Sequence, residues 1–529
     1  MRRPDTSGLC KRAHARGGEA VAGSPAAQVF LDRARAAGRP LALTDGTAAA
    51  VAAICDRLGG LPLALELAAA HARFLSPALL LDRLDAATGS PLVRDLPTRQ
   101  RSMRQTLDWS HDLLTAAEQQ LLRRLSVFAG EFSLDAAQQL AGDGDVVPAL
   151  AGLIEQSLVL AEDERYRMLE PIRQYASARL QESGETALVA DRAAGFFTGL
   201  ASAARGGLRT ADQGEWLDRL HRDHDNLSAT LRRLIDRGDP GAAAVLLADT
   251  WLYWALRGHT VEGIAWLERV ASSPLRPAGA AALHVGLAGL RFASGDVPGT
   301  AEAGGLAAEA ARSAGDNDLL AQALVLSASA TVFLGELGRA VAALTEVGRL
   351  SGDGWVRAHA GMARAQLQVR TGDLGAAAAA MGEAERAARE LGSAFTLATV
   401  LNVQASLALA ADDDAAALDR WIEAAALAVE VGTTWTFVYT LPGLAVLAAR
   451  SGMPELAAEL FAAGSATAEA GSVAVTYPPD LESAGQWLPA VRAQLGEDAF
   501  RRAWERGRGL RPDDVPRLAG MISGRTAPG

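Results

Sequence analysis

The sequence predicts a mainly α-helical protein made of a helical lid bundle, a winged-helix domain with a small β-hairpin, and an α-α superhelix of tetratricopeptide-like repeats. Three observations lead there. Apolar residues recur at helical spacing from Pro25 onward. One pair of alternating segments flanks the polar turn Glu162-Asp163-Glu164. Small or acidic turns return at Gly258, Gly295, Gly335, Gly372 and Gly452, with Asp412-Asp413 filling the gap before the last, so the period is roughly 40 residues.

Residues 1–23 are rich in Arg, Gly and Ala with no apolar period and are expected to be disordered. The lid, 24–94, opens with Val29, Phe30 and Ala34 on one helical face. A second helix over 48–58 follows, then a break at Gly59, Gly60 and Pro62, a third helix over 63–74, and a fourth begun by Ser76-Pro77. The winged helix, 95–190, starts with a helix over 103–114. Thr115 and Glu118 then form a capping box ahead of the stripe Leu121, Leu125 and Phe128. Helices from Ser133 and near Val146 precede the hairpin, and another closes the domain from Pro171 through Leu180. About six helix hairpins fit in 195–515, and 516–529 reads as a tail.

Charge and composition exclude several classes of function. With 62 acidic against 51 basic residues the formal charge is −11, which gives no support to generalised polyanion binding. The only lysine is Lys11, outside any G-x-x-x-x-G-K spacing, so the chain cannot form its own Walker A phosphate loop or use a lysine nucleophile elsewhere. Cys10 and Cys55 cannot build a disulfide framework or complete a cysteine zinc site. No signal peptide opens the chain, and its most apolar long stretch, 242–256, is short and carries Asp249, so a cytoplasmic protein without a membrane span is expected.

Several motifs carry a family resemblance. ICDRLGGLPLALELAAA at 54–70 resembles the GLPLA segment of bacterial STAND regulators, the NB-ARC-like signalling ATPases that include large LuxR-family and AfsR-type transcriptional regulators. LPTRQRSMRQTLDWSHDLL at 96–114, LSVFAG at 125–130, IRQYA at 172–176 and DHDNL at 223–227 look like the family's successive downstream signatures, over roughly 24–515. The resemblance implies a P-loop domain upstream of Pro25 in intact relatives, which bind ATP or ADP, and often a terminal helix-turn-helix. FRRAWERGR at 500–508 resembles the helix before that junction. This chain is expected to be the non-catalytic sensor or scaffold portion, binding a protein or small-molecule inducer on its solenoid without a cofactor of its own. The alternatives are a DNA-binding regulator of LuxR/AfsR type and a subunit of a split ATPase whose P-loop lies on another chain.

The same resemblance makes Pro62 the vestige of an adenine contact, but a Gly-Pro helix start with leucines in the core explains it without a ligand and is the favoured reading, because the phosphate-binding amides and lysine are missing. It aligns the family's nucleotide-sensing Met-His-Asp with Met168-Leu169-Glu170, whose leucine cannot donate to a phosphate. The helix before the hairpin offers Glu155 and Gln156 but no basic residue, so DNA binding is not expected; the cluster Arg94, Arg99, Arg101 and Arg104 is the one candidate nucleic-acid contact, against a solvated linker. His224 suggests a metal ligand only superficially, because Asp225 or Asn226 as N-cap of the helix to Asp236 explains the cluster. Trp251, Trp254 and Trp266 stand out in a chain with 5% aromatic residues and are the candidate partner-binding residues, against a packing role.

Overall fold

The computed structural model describes residues 21–36, 38–58, 60–86, 98–142, 144–350, 352–471 and 478–526. Lys11, Cys10 and Arg94 lie outside the described residues, as do the side chains of Arg99 and Arg101. The chain divides into two compact units, Met1–Phe196 and Phe197–Gly529. No helix among the described residues is long and apolar enough to cross a membrane.

The first unit begins with α1 (Pro25–Ala36), α2 (Asp45–Arg57), α3 (Pro62–Ala70) and α4 (Pro77–Ala86). Phe30, Val51, Ile54, Leu65 and Leu84 form their shared core, and Cys55 is buried there, outside any disulfide among the described residues. Val21 joins that core at 4% exposure, so the expectation of disorder to residue 23 fails at its last residues: an apolar side chain next to Phe30 has a core to enter. The next helix, α5 (Thr98–Asp112), buries Trp109 in the lid core, although its sequence position suggested the winged helix. His71 stacks edge-on to Trp109 at 4.2 Å and bonds Ser110 at 3.2 Å, and burial holds its pKa down at about 4, so the imidazole is neutral.

The winged helix runs α6 (Ala116–Leu125), β1 (Phe132–Ser133), α7 (Leu134–Ala141), α8 (Val147–Glu155), β2 (Leu160–Glu162), β3 (Arg165–Arg167) and α9 (Glu170–Ser183). The Thr115–Glu118 capping box is present. The sheet has three antiparallel strands in the order β1-β3-β2, with Tyr166 opposite both Phe132 and Ala161. β1 is too short to leave an alternating pattern. The hairpin strands are shorter than their apolar runs because Leu158 and Val159 enter the core instead of alternating. Asp163 and Glu164 both take positive φ, the conformation of a tight two-residue hairpin turn. Arg124 donates to the carbonyls of Leu140 and Ala141 and to Glu185, which Arg123 also pairs; these guanidinium bonds hold the Glu185 carboxyl below its usual range.

After α10 (Thr186–Gly207), the second unit is a superhelix of paired helices. α11 (Gln213–Arg222) and α12 (His224–Asp236) lead into hairpins α13/α14 (Pro240–Leu256, Thr260–Ala271), α15/α16 (Pro277–Ser294, Val297–Ala314) and α17/α18 (Asn317–Phe333, Leu337–Val347). Hairpins α19/α20 (Gly354–Thr371, Leu374–Leu391), α21/α22 (Ala394–Ala410, Asp414–Val431) and α23/α24 (Trp435–Arg450, Pro454–Gly471) follow. α25 (Pro478–Leu495), α26 (Glu497–Gly507) and α27 (Val515–Thr526) close the unit.

All six turn positions picked out by the sequence period have positive φ, between 59° and 85°, and Asp412 adopts it in place of a glycine. Asp296, Asp373 and Asp413 then cap the second helices through their side chains. The presumed tail at 516–529 is instead mostly helix: Leu518, Ala519 and Ile522 are buried in the core of the last hairpins, where three apolar positions on one helical face find a partner.

Candidate functional site

The inner helices of the six hairpins line one cavity of about 90 Å³. Trp251 comes from α13, Phe292 from α15, Phe333 from α17, Trp355 and His359 from α19, Phe395 from α21, and Trp435 and Thr436 from α23. The rings are packed against one another: Trp355 stacks on His359 at 4.1 Å and meets Trp251 edge-on at 6.2 Å, and Phe395 lies 5.2 Å from Trp435. Gly289 makes room for this wall, because a Cβ there would sit 2.5 Å from the Trp251 ring.

Three polar atoms of lining residues, Trp251 Nε1, Trp355 Nε1 and Thr436 Oγ1, are buried with no hydrogen-bond partner among the described residues. Leaving each such group unpaired costs about 1–3 kcal/mol, and all three belong to side chains of the same cavity. Other polar groups on the lining are held by their neighbours. Asn402 Oδ1 accepts from Thr440 at 2.9 Å, and Ser329 and Thr399 donate to carbonyls of their own helices. His359 Nδ1 lies 2.9 Å from the Trp355 carbonyl, so that nitrogen carries the proton and Nε2 is an acceptor. Burial keeps the His359 pKa near 4.

No charged residue lines the cavity. The nearest formal charge in this wall is Arg209, whose guanidinium lies over the Trp355 ring at 4.6 Å, donates to Gln322 at 2.6 Å and pairs with Asp353 at 3.5 Å. Burial lowers its pKa to about 10, so it remains a cation at neutral pH. Burial likewise raises Asp249 to about 6, against the pull of Arg205 and Arg209. The arrangement can hold an uncharged, flat, largely apolar molecule.

Of the three tryptophans singled out by sequence, only Trp251 lies on the cavity. Trp254 is fully buried between helices and donates to Thr250 at 3.1 Å, so it is a core residue and offers no surface. Trp266 lies on α14 and donates to Glu262. Sequence reading missed Trp355, His359, Phe395 and Trp435. A signal for them exists: Trp251, Phe292 and Phe333 are spaced 41 residues apart, toward the ends of their helices, and Trp355, Phe395 and Trp435 are spaced 40 apart, in the first turns of theirs, so an aromatic returns at one place in the first three repeats and at another in the last three.

In the first unit Pro62 is the exposed first residue of α3, and Leu169 is the N-cap of α9 with no side-chain bond. Glu170 is taken up by Arg173 and Gln174. These residues do not fit a self-contained nucleotide site. The exposed face of α8, the helix a winged helix would present to DNA, carries Val147, Pro148, Ala151 and Glu155, and Glu155 is paired with Arg73 of the lid at 3.2 Å. Arg33 reaches Ser157 at 3.1 Å just beyond it. Arg104 is exposed on α5.

Comparison with known proteins bears on the winged helix. A family model for the winged helix-turn-helix domain matches residues 114–181. A Mycobacterium bovis protein named as an HTH-type transcriptional regulator is 37% identical over 262 residues, which is 46% of this chain and 29% of that protein. An uncharacterized protein of Mycobacterium tuberculosis is 40% identical over 183 residues, covering 32% of this chain and 46% of its own length. Among solved structures, a Signal Transduction ATPase with Numerous Domains protein with a tetratricopeptide repeat sensor, from Pyrococcus horikoshii, aligns at a TM-score of 0.42 and 15% identity over 87% of this chain and 74% of that one. Residues 114–181 thus belong to the class of winged helix-turn-helix domains. The chain is similar to proteins named as transcriptional regulators and spans less than a third of the length of the regulator it matches.

Proposed function

We propose that this chain is the sensor portion of a STAND-type transcriptional regulator and that its tetratricopeptide-like superhelix binds a small, uncharged, aromatic inducer. The observation that carries the reading is one cavity lined by Trp251, Phe292, Phe333, Trp355, Phe395 and Trp435, an aromatic from each of six successive hairpins, with no charged residue on its lining. A flat ligand gains the apolar contact of the rings, and the unpaired Thr436 hydroxyl is the polar group nearest to hand on a lining residue. The function is recognition and relay without chemistry, since the cavity offers no acid, base or nucleophile in a catalytic arrangement. The test is a metabolite screen on the whole chain by thermal shift and tryptophan fluorescence. Hits should lose at least ~10-fold in affinity on Thr436→Val, which removes one hydroxyl hydrogen bond. Hits that bind 24–190 and ignore the solenoid overturn the reading.

A second reading, DNA binding by the winged helix, is favoured by its family match and by the regulator names of the relatives. It requires base and phosphate contacts from α8, whose outward residues are apolar or acidic and whose Glu155 is already engaged by Arg73. Selection from random duplexes at physiological salt separates the two. A recovered consensus that is lost when Arg99, Arg101 and Arg104 are replaced supports DNA binding. The split-ATPase reading predicts nucleotide hydrolysis only when a P-loop subunit is added.

A further inference from the structure

We propose that His224, His259 and Glu262 form a binding site for a borderline divalent cation such as zinc, at the junction of α12 with the first hairpin of the solenoid. The three contribute ligand atoms that all lie within 4.8 Å of one another, and they are the one such group of His, Cys, Asp and Glu among the described residues. His224 Nε2 lies 3.2 Å from Glu262 Oε2. Ligands at about 2.0–2.1 Å from a tetrahedral zinc stand roughly 3.3 Å apart, so this edge is already at coordination spacing. The remaining closure falls to His259, which stands in the Gly258-His259 turn with its ring stacked on that of His224 at 4.1 Å and 21°, and which must turn out of that stack to aim a nitrogen at the shared ion.

The surroundings are those of ligands held in place from behind. His224 uses its other nitrogen, Nδ1, on the Tyr253 hydroxyl at 2.8 Å, and Tyr253 is fully buried. Glu262 presents Oε2 to His224, while Oε1 accepts from Ser228 at 3.0 Å and from Trp266 at 3.2 Å. Such outer partners fix the orientation of a ligating imidazole or carboxylate. His259 Nε2 is buried with no partner among the described residues, and in the tautomer protonated at Nδ1 it offers a lone pair that the ion would take up. Two imidazoles and a carboxylate are a donor set suited to zinc, cobalt or nickel and poorly suited to calcium or magnesium. A fourth position is left for water. The ion would tie the first turn of α12 to the turn that opens α14, elements that come together only in the folded solenoid.

The sequence reading attributed the His224 cluster to capping by Asp225 or Asn226. The helix instead begins at His224 after Asp223, whose side chain makes no capping bond, so capping does not account for His224.

The test uses the full chain without an affinity tag, stripped with chelator, and titrated with Zn(II) by calorimetry and with Co(II) by visible absorption. One equivalent of either ion should bind, with the d–d spectrum of four-coordinate Co(II) carrying nitrogen ligands, and zinc should raise the melting temperature. His259→Ala and Glu262→Gln should each weaken binding by at least ~10-fold. Glu262→Gln retains an acceptor for Ser228 and Trp266, so its circular-dichroism melt in chelator should match the parent and separates lost metal from lost fold. Absence of the Co(II) spectrum in the folded chain, or undiminished binding in both variants, overturns the assignment.

Discussion

The two units differ in how their buried side chains are packed. In Met1–Phe196 polar groups are stitched to partners distant in sequence: Arg124 to two carbonyls and Glu185, His71 to Ser110, and Tyr175 and Arg179 to Asp108. In Phe197–Gly529 the packing is repetitive, with tryptophans seated on glycines, and three unpaired polar atoms belong to residues lining one cavity. Each unit also leaves buried polar atoms unpaired among the described residues, Trp109 Nε1 in the first and His259 Nε2 and Trp421 Nε1 in the second, so what sets the solenoid apart is its aromatic-lined cavity.

The largest test of this contrast lies in the solenoid. Trp421 is fully buried, and a Cβ on Gly443 would come within 2.1 Å of its ring. Trp421→Ala is expected to cost about 3–5 kcal/mol and Gly443→Ala about 1–3 kcal/mol, measured by urea unfolding followed at the helical circular-dichroism band. A neutral Gly443→Ala would break the claim that glycine seats are what the repeat packing requires.

Acid should act on both units through neutral histidines. His71 and His359 are each held near pKa 4 in the folded chain against about 6.5 unfolded, so between those values the unfolded state binds more protons. Stability is therefore full above about pH 6.5 and declines as pH falls toward 4, by about 3 kcal/mol for the deeply buried His71. Urea midpoints measured from pH 7 to about pH 4 should fall less steeply in His71→Gln than in the parent.

The stitched unit is sharpened by Arg124→Ala, which removes two carbonyl bonds and an ion pair and should cost about 2–3 kcal/mol. Because the side chain is largely buried, the loss should persist in high salt. At the small end, Arg173→Ala removes an i,i+3 pair with the exposed Glu170 and should change stability by no more than about 0.5 kcal/mol, so its thermal melt should scarcely move.

The fold was legible where one local rule sufficed. The Thr115–Glu118 box, the recurrent turns and the hairpin flanking Asp163-Glu164 are short-range signals that tertiary context did not override. What escaped was what only assembly creates. Two-residue β1 exists because β3 is beside it, Val21 is ordered against Phe30's core, and His224, His259 and Glu262 meet through three different segments. The cavity lies between these cases. Trp251 drew notice as part of a local aromatic cluster that also held the core residue Trp254, while the spacing that brings Phe292, Trp355, Phe395 and Trp435 to the same wall appears only when whole repeats are aligned.

That wall draws on α13, α15, α17, α19, α21 and α23, the inner helices of six successive hairpins. In a solenoid each repeat otherwise touches only its neighbours, and opening can begin at either end and spread by one unit at a time. A molecule seated across the wall adds to the ties that already join distant repeats, Trp251 against Trp355 and Arg257 on the Gly432 carbonyl, and couples all six hairpins through one body. Hydrogen exchange would register this as merged protection: amides of α13 and α23, which open separately in the free chain, would open together once the cavity is filled.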